Sequence, residues 1–308
     1  MQVSVSGFHS DERDIWCAEE DVSEATNGLP GERFRLLSNF CPMRQIIEHD
    51  FDEDTRLNWA GETSCTAQLT DRWNTTSGNP NGGYLMAVGV RALQERSAHP
   101  DPLVASAFFL RPGSAGPAEI QVESAREGRR TSTREARMCQ GGQEILRIVA
   151  TFTDFDQADG RSLSLAKMPD LPSPDDLSDP LAGIELPGIT VADRVEYRTA
   201  QPPGWLHGQP SGNPSMTFWM RFADGRQPDL VSLPFLADAA YPAIMELGEM
   251  PSATLELTIH LRDRPAPGWL ACKINTRHVA GGFHEEDCDI WDSRGVLVAQ
   301  SRQLALLP

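Results

Sequence analysis

Lysine is almost absent from this chain of 308 residues: Lys167 and Lys273 are the only two among 27 basic side chains, and the rest are arginine. Acids outnumber bases 44 to 27, for a net charge of −17, and residues 1–54 alone carry thirteen acids against four arginines. A chain so short of positive charge is a poor partner for nucleic acid or an anionic membrane, both of which select a basic face. No apolar run reaches 18 residues, so no membrane span is expected. The first residues lack both the basic and the apolar regions of a secretory signal, and Ala-Leu-Leu-Pro at the end matches no peroxisomal or retention tag, so a cytoplasmic location is expected. The six cysteines (Cys17, Cys41, Cys65, Cys139, Cys272, Cys288) include no CxxC and no framework spacing, and they read as free thiols. His278, His284 and Cys288 fit no standard zinc spacing, so no metal site is expected. GxSxG, GxGxxG and the P-loop are also missing, which removes support for a nucleophile-elbow hydrolase or a nucleotide fold.

What is present is a lone carboxylate. Asp238 is the only charged residue between Val231 and Met245, in Leu-Pro-Phe-Leu-Ala-Asp-Ala-Ala-Tyr-Pro. Burying an unpaired carboxylate costs several kcal/mol or more, so such a residue is paired, hydrogen-bonded or functional. A salt bridge to Arg262 or Arg302 is the structural alternative.

A repeat organises the rest. Arg111-Pro112 recurs as Arg264-Pro265, and the hairpin glycine Gly142 recurs as Gly295, both at an offset of 153 residues. In each half a strand leads to a helix, and three or four strands follow. In the first half a helix is expected from Gly83 to about Arg96, then strands over 103–110, 118–125, 132–139 and 144–155. In the second, a helix is expected over 231–247, then strands over 254–261, 269–278, 285–291 and 296–307. The Pro- and Asp-rich stretch 156–190 reads as a linker. The expected class is therefore α+β, two tandem units of a long helix wrapped by a curved antiparallel sheet. The divisions are 1–50, an acidic and poorly ordered extension within which Met43 is a possible start; 51–155, the first unit; 156–190, the linker; and 191–308, the second unit.

Asn-Gly-Gly-Tyr-Leu-Met-Ala, His-Pro-Asp-Pro, Phe-Phe-Leu-Arg-Pro-Gly and Glu-Gly-Arg-Arg-Thr-Ser-Thr-Arg in the first half resemble the acyl-CoA thioesterases of the double hotdog type. So do Ala-Asp-Ala, Pro-Ala-Pro-Gly-Trp-Leu and Asp-Ser-Arg-Gly-Val-Leu-Val-Ala-Gln-Ser-Arg-Gln in the second, and the pattern is that of the bacterial thioesterase II group over residues 51–308. The resemblance implies hydrolysis of acyl-CoA to a carboxylic acid and CoA without metal or cofactor, and association into a homo-oligomer. It also implies a site of an aspartate on the second helix, a Thr or Ser on the next strand and a glutamine on the last. Asp238 and Gln303 occupy the first and last of these positions, and Thr254 is the best match for the hydroxyl. Thr258 rivals it, because Arg-Asp-Arg-Pro is one residue longer than the family pattern; by alternation Thr254, Glu256 and Thr258 share one face.

Such a trio suits thioester hydrolysis, with Asp238 as general base and Thr254 and Gln303 orienting the water. Backbone N–H groups at the first helix start, Gly82 and Gly83, are candidate donors to the oxyanion, and equally the residues of a tight turn. At the 153-residue offset Gln303 corresponds to Ala150, and the first helix holds no carboxylate before Glu95, so one site per chain is expected. Arg126, Arg129, Arg130, Arg134 and Arg137 form either a phosphate clamp for CoA or an exposed hairpin; as strand residues, Arg130 and Arg134 share one face and Arg129 and Arg137 the other. A catalytically silent acyl-CoA-binding protein is the alternative function. Hotdog hydratase chemistry lacks a histidine beside Asp238.

Overall fold

The computed structural model describes residues 49–250 and 253–307. The expected extension over 1–50, with Met43, lies outside them except for its last two residues, and Asp50 opens a short helix α1 (Asp50–Asp54). Two strands follow, β1 (Leu57–Trp59) and β2 (Ser64–Leu69). Then come helix α2 (Gly82–Gln94) and the strands β3 (Asp101–Phe109), β4 (Gly116–Glu127), β5 (Ser132–Gln140) and β6 (Gln143–Thr153). Residues 154–194 contain no strand and only short 3-10 turns, among them Pro174–Asp176. The second half holds β7 (Val195–Arg198), β8 (Ser215–Phe222), helix α3 (Leu233–Ala239), a 3-10 turn (Ala243–Leu247), β9 (Ala253–Leu261), β10 (Leu270–Asn275), β11 (Val279–Ala280), β12 (Phe283–Trp291) and β13 (Leu297–Leu306).

All the strands join one antiparallel sheet in the order β1-β2-β4-β5-β6-β3-β9-β13-β12-β10-β8-β7, with β11 on β12. The two halves are mirrored in this order: β3 meets β9 at the centre, Ala105 opposite Ile259, and β6 corresponds to β13, β5 to β12. This is the double hotdog. Pairing the units edge to edge removes two unprotected strand edges that separate units would expose.

The helices sit against the inner face of the sheet. In α2 every residue from Gly83 to Val90 is buried, as expected of a helix enclosed on all sides. It starts cleanly because Asn81 caps it, its Oδ1 accepting from Tyr84 N at 3.0 Å. The close approach of α2 to α3 needs glycine at position 83: a Cβ there would lie 2.6 Å from the Pro234 carbonyl oxygen and 2.7 Å from Asp238 Cβ.

The second helix corrects the expected span of 231–247. It stops at Ala239, Ala240 turns to an extended ψ of 149°, and a separate 3-10 turn begins after Pro242. Proline disfavours helical geometry in the residue before it and cannot donate to a continuing helix. The break leaves Asp238 in the last turn of α3, where its side chain can reach the start of α2.

Candidate active site

A cavity of about 680 Å³ opens between the two units. Its walls include Gly82, Leu85, Phe109 and Arg111 from the first half, and Asp238, Tyr241, Thr254, His284 and Gln303 from the second. Leu181, Leu186 and Ile189, from the stretch between the units, close one side. The walls are largely apolar, which suits an acyl chain and keeps the polar groups few and directed.

Asp238 has no cationic partner among the described residues. Arg302 pairs with Asp287 at 2.6 Å and Arg262 bonds Gln300, so neither neutralises it. Its Oδ2 accepts instead from Gly83 N at 2.7 Å and from Asn81 Nδ2 at 3.0 Å, and Asn81 Nδ2 also reaches the Asp238 carbonyl oxygen. The first turn of α2 thus offers its N–H dipoles to a carboxylate 155 residues away in sequence. Its Oδ1 has no partner among the described residues and is available to the cavity. Burial drives the carboxyl up to about 6, while Gly83 and Asn81 hold it back by favouring the charged form.

Thr254 and Gln303 meet: Thr254 Oγ1 donates to Gln303 Oε1 at 2.9 Å. Both line the cavity with Asp238. Strict alternation along β9 fails here. Thr254 is opposite Ala305, and Glu256 is opposite Leu304, so the register slips between Leu304 and Ala305. Such a bulge reverses the faces on one side of it. Thr254 therefore faces the cavity, whereas Thr258 bonds Ser106 and Glu256 on the opposite face of the sheet. The expected common face of Thr254, Glu256 and Thr258 is corrected accordingly.

The glycine pair also divides. Gly82 lines the cavity, and its N–H has no acceptor among the described residues. Gly83 N–H is occupied by Asp238, so of the two oxyanion-donor candidates Gly83 holds the carboxylate instead.

Glu286, absent from the sequence reading, lies behind the site. It is opposite Gln303 on β12 and 4% exposed. Its Oε1 accepts from Gln303 Nε2 at 3.1 Å and its Oε2 from Ala243 N at 2.5 Å. Burial pushes its carboxyl up to about 7, and the charge of Asp238 adds to the rise. By accepting from the Gln303 amide nitrogen, Glu286 determines which end of that amide faces Thr254. Alternation from the inward Cys288 and Ile290 on β12 was the available signal for it. Asn81 was legible as a helix cap, but its second bond was not.

The arginine cluster contributes nothing to the cavity wall. Arg130, Arg134 and Arg137 pair with Asp159, Glu127 and Glu135. Arg129 and Arg130 sit in the turn between β4 and β5, not on strand faces as expected, because Gly128 and Thr131 close that turn. Arg111 lines the cavity at its exposed rim.

The family model of the acyl-CoA thioesterase N-terminal domain matches residues 69–153, and that of the C-terminal domain matches residues 166–307. A solved structure from Thermobifida fusca assigned to thioesterase II is 30% identical, with a TM-score of 0.76 over 84% of this chain and 97% of that one. The chain belongs to the acyl-CoA thioesterase II-like family. As a member of that family it is a thioester hydrolase acting on acyl-CoA. The fold recurs in a hot dog protein of Alicyclobacillus acidocaldarius, 22% identical with a TM-score of 0.75 over 85% of this chain and 99% of that one. An uncharacterized protein of Mycobacterium tuberculosis is 26% identical over 267 residues, 78% of this thioesterase and 90% of that protein. Among the described residues no helix of this thioesterase is long and apolar enough to cross a membrane, and no His, Cys, Asp and Glu side chains cluster as metal ligands.

Proposed function

We propose that the thioesterase hydrolyses acyl-CoA at one site per chain, with Asp238 as the general base, Thr254 and Gln303 positioning the water and Gly82 N–H receiving the oxyanion. The observation that carries this reading is the hydrogen-bond chain from Glu286 through Gln303 to Thr254, beside a carboxylate with one free oxygen. Gln303 gives its N–H to Glu286, so its Oε1 must accept, and the Thr254 proton is committed to it. Thr254 Oγ1 is left with lone pairs alone for the cavity. A water there donates one proton to Thr254 and the other to Asp238 Oδ1, which turns its own lone pair outward.

Attack on the thioester carbon forms the new C–O bond as Asp238 takes the proton. A carboxyl raised to about 6 remains mostly ionised at neutral pH and is a stronger base than an ordinary aspartate. The negative charge on the carbonyl oxygen is met by Gly82 N–H at the helix start. Collapse expels the CoA sulfur, which takes the proton from Asp238 and restores the carboxylate. The unit boundaries 51–155 and 191–308, joined by 156–190, form part of this proposal, since the first unit then supplies the wall and Gly82 while the second supplies the base.

A single turnover in ¹⁸O-enriched water, with enzyme in excess over acyl-CoA, tests the central step. Direct attack by water places ¹⁸O in the first acid released. Product without the label would mean that Asp238 attacks the carbonyl itself, and the general-base assignment would be wrong.

A further inference from the structure

His284 lies on the inner face of β12, is 2% exposed and lines the cavity, yet neither of its ring nitrogens has a hydrogen-bond partner among the described residues. Trp205 Nε1, in the turn Gly204–His207, is a second buried polar atom without a partner on a residue lining the same cavity. Buried polar groups are ordinarily satisfied, and a neutral imidazole brings one donor and one acceptor that both need partners. Burial disfavours the charged form of His284 and outweighs the opposing influence of the Glu285 backbone and carboxylate, which suits an uncharged partner. Ala305, directly opposite it on β13, offers no side-chain polar group, and the next inward residue on β12, Glu286, is already engaged by Gln303 and Ala243.

The sheet places this imidazole relative to the reacting bond. His284 is opposite Ala305, and Ala305 is opposite Thr254, so His284 and Thr254 are two strands apart on one face. Two strand spacings amount to roughly 9–10 Å, a distance that an extended acyl chain covers with roughly six to eight carbons. The small side chain of Ala305 leaves the space between them open. The exposed Arg111 suits the charged nucleotide end of CoA, and the buried His284 suits the acyl chain.

We propose that His284 forms a subsite for an uncharged hydrogen-bonding group, a hydroxyl or oxo substituent, carried in the distal part of the acyl chain. This deepens the proposed function and depends on it only for the placement of the thioester carbonyl at Thr254. Thiol release from octanoyl-CoA and its 3-hydroxy, 6-hydroxy and 8-hydroxy derivatives tests it in the wild type and in His284→Leu. The wild type prefers a distal hydroxyl over plain octanoyl-CoA in kcat/KM, and His284→Leu abolishes that preference, a change of about tenfold in the ratio of the two, while the ratio of 3-hydroxyoctanoyl-CoA to octanoyl-CoA keeps its wild-type value.

An equal loss on all four substrates would mean that His284 serves the pantetheine arm or the fold, and would overturn the subsite. No change on any of them would assign its ring nitrogens to water and do the same. Ala305→Val, which narrows the space between His284 and Thr254 and keeps the imidazole, lowers the distal-hydroxyl preference in a second background and guards against misfolding of the first variant. Asp238→Asn separates the two proposals: full activity there overturns the mechanism, whereas the selectivity ratio of His284→Leu reports only on the subsite.

Discussion

The two units solve one packing problem with the same strand order, yet they differ where the cavity meets the sheet. On β13 of the second unit Gln303 faces Glu286 of β12; at the corresponding crossing of the first unit Ala150 of β6 faces Arg134 of β5. Ala150 is buried, and Arg134 turns to Glu127. At the 153-residue offset Asp238 corresponds to Leu85, a buried side chain in the cavity wall. The helices differ in the same sense: α2 runs unbroken for 13 residues, while α3 ends after 7. The lesson is that polar chemistry and a broken helix occur together. The break at Ala240 lets Asp238 bond the start of α2, and Ala243 just beyond it supplies the N–H that holds Glu286. The first unit keeps a continuous helix and, at the positions of Asp238 and Gln303, the apolar Leu85 and Ala150, as packing alone prefers.

The largest expected effect comes from erasing this difference at its centre. Asp238→Asn removes the proposed base while keeping the shape and lowers kcat by ~10²–10⁴-fold, read as thiol release from acyl-CoA. Adding Leu85→Asp in the first unit does not restore the rate, because no equivalent of Gln303 stands behind it. Recovery in that double variant would show that the units are interchangeable and would remove the asymmetry between them.

Next in size is the choice between two threonines on one strand. Thr254→Val lowers kcat by ~10–100-fold, the scale of leaving one or two polar groups unpaired, with a smaller change in KM. Thr258→Val, on the far face, stays within about twofold of wild type. A reversed order would mean that the bulge at Ala305 does not govern the site.

The pH profile follows with a clear sign. The base must be ionised, so kcat/KM falls as pH drops through about 6, approaching tenfold per pH unit below it. A profile that stays flat down to pH 4.5 would mean that Asp238 keeps an ordinary carboxyl and is not enclosed as described.

The smallest effect is on stability. Gly83→Ala forces a Cβ against the Pro234 carbonyl and Asp238, and separates α2 from α3 at a cost of about 1–3 kcal/mol, measured by denaturant unfolding. Gly61→Ala, where the added methyl meets nothing, leaves stability within about 0.5 kcal/mol of wild type. Equal effects at the two positions would show that the contact between the helices is looser than the distances state.

Much of the fold was legible because hydrophobic alternation and turn residues act locally. All eight strands given bounds in the two halves are present, while β11 and the strands ahead of the two helices, β1, β2, β7 and β8, were not delimited because nothing near them marked their limits. Glu286 and His284 were readable in principle from alternation with Cys288 and Ile290, yet charge at both positions spoke for solvent. The arginine hairpin misled for the opposite reason, since a run of basic residues shows nothing of the acids that neutralise it from elsewhere in the sheet and its flanking loop.

By itself the sequence determined the duplication, the uneven distribution of chemistry between its halves and the isolation of Asp238 in an apolar segment. These are properties of order and composition, which need no coordinates. Tertiary structure decided which threonine faces the cavity, which glycine N–H is free, and why Asp238 is held near 6. A bulge of one residue reverses a strand's faces, and the proton affinity of a carboxylate depends on donors from segments 155 or more residues distant. Neither is a function of local sequence.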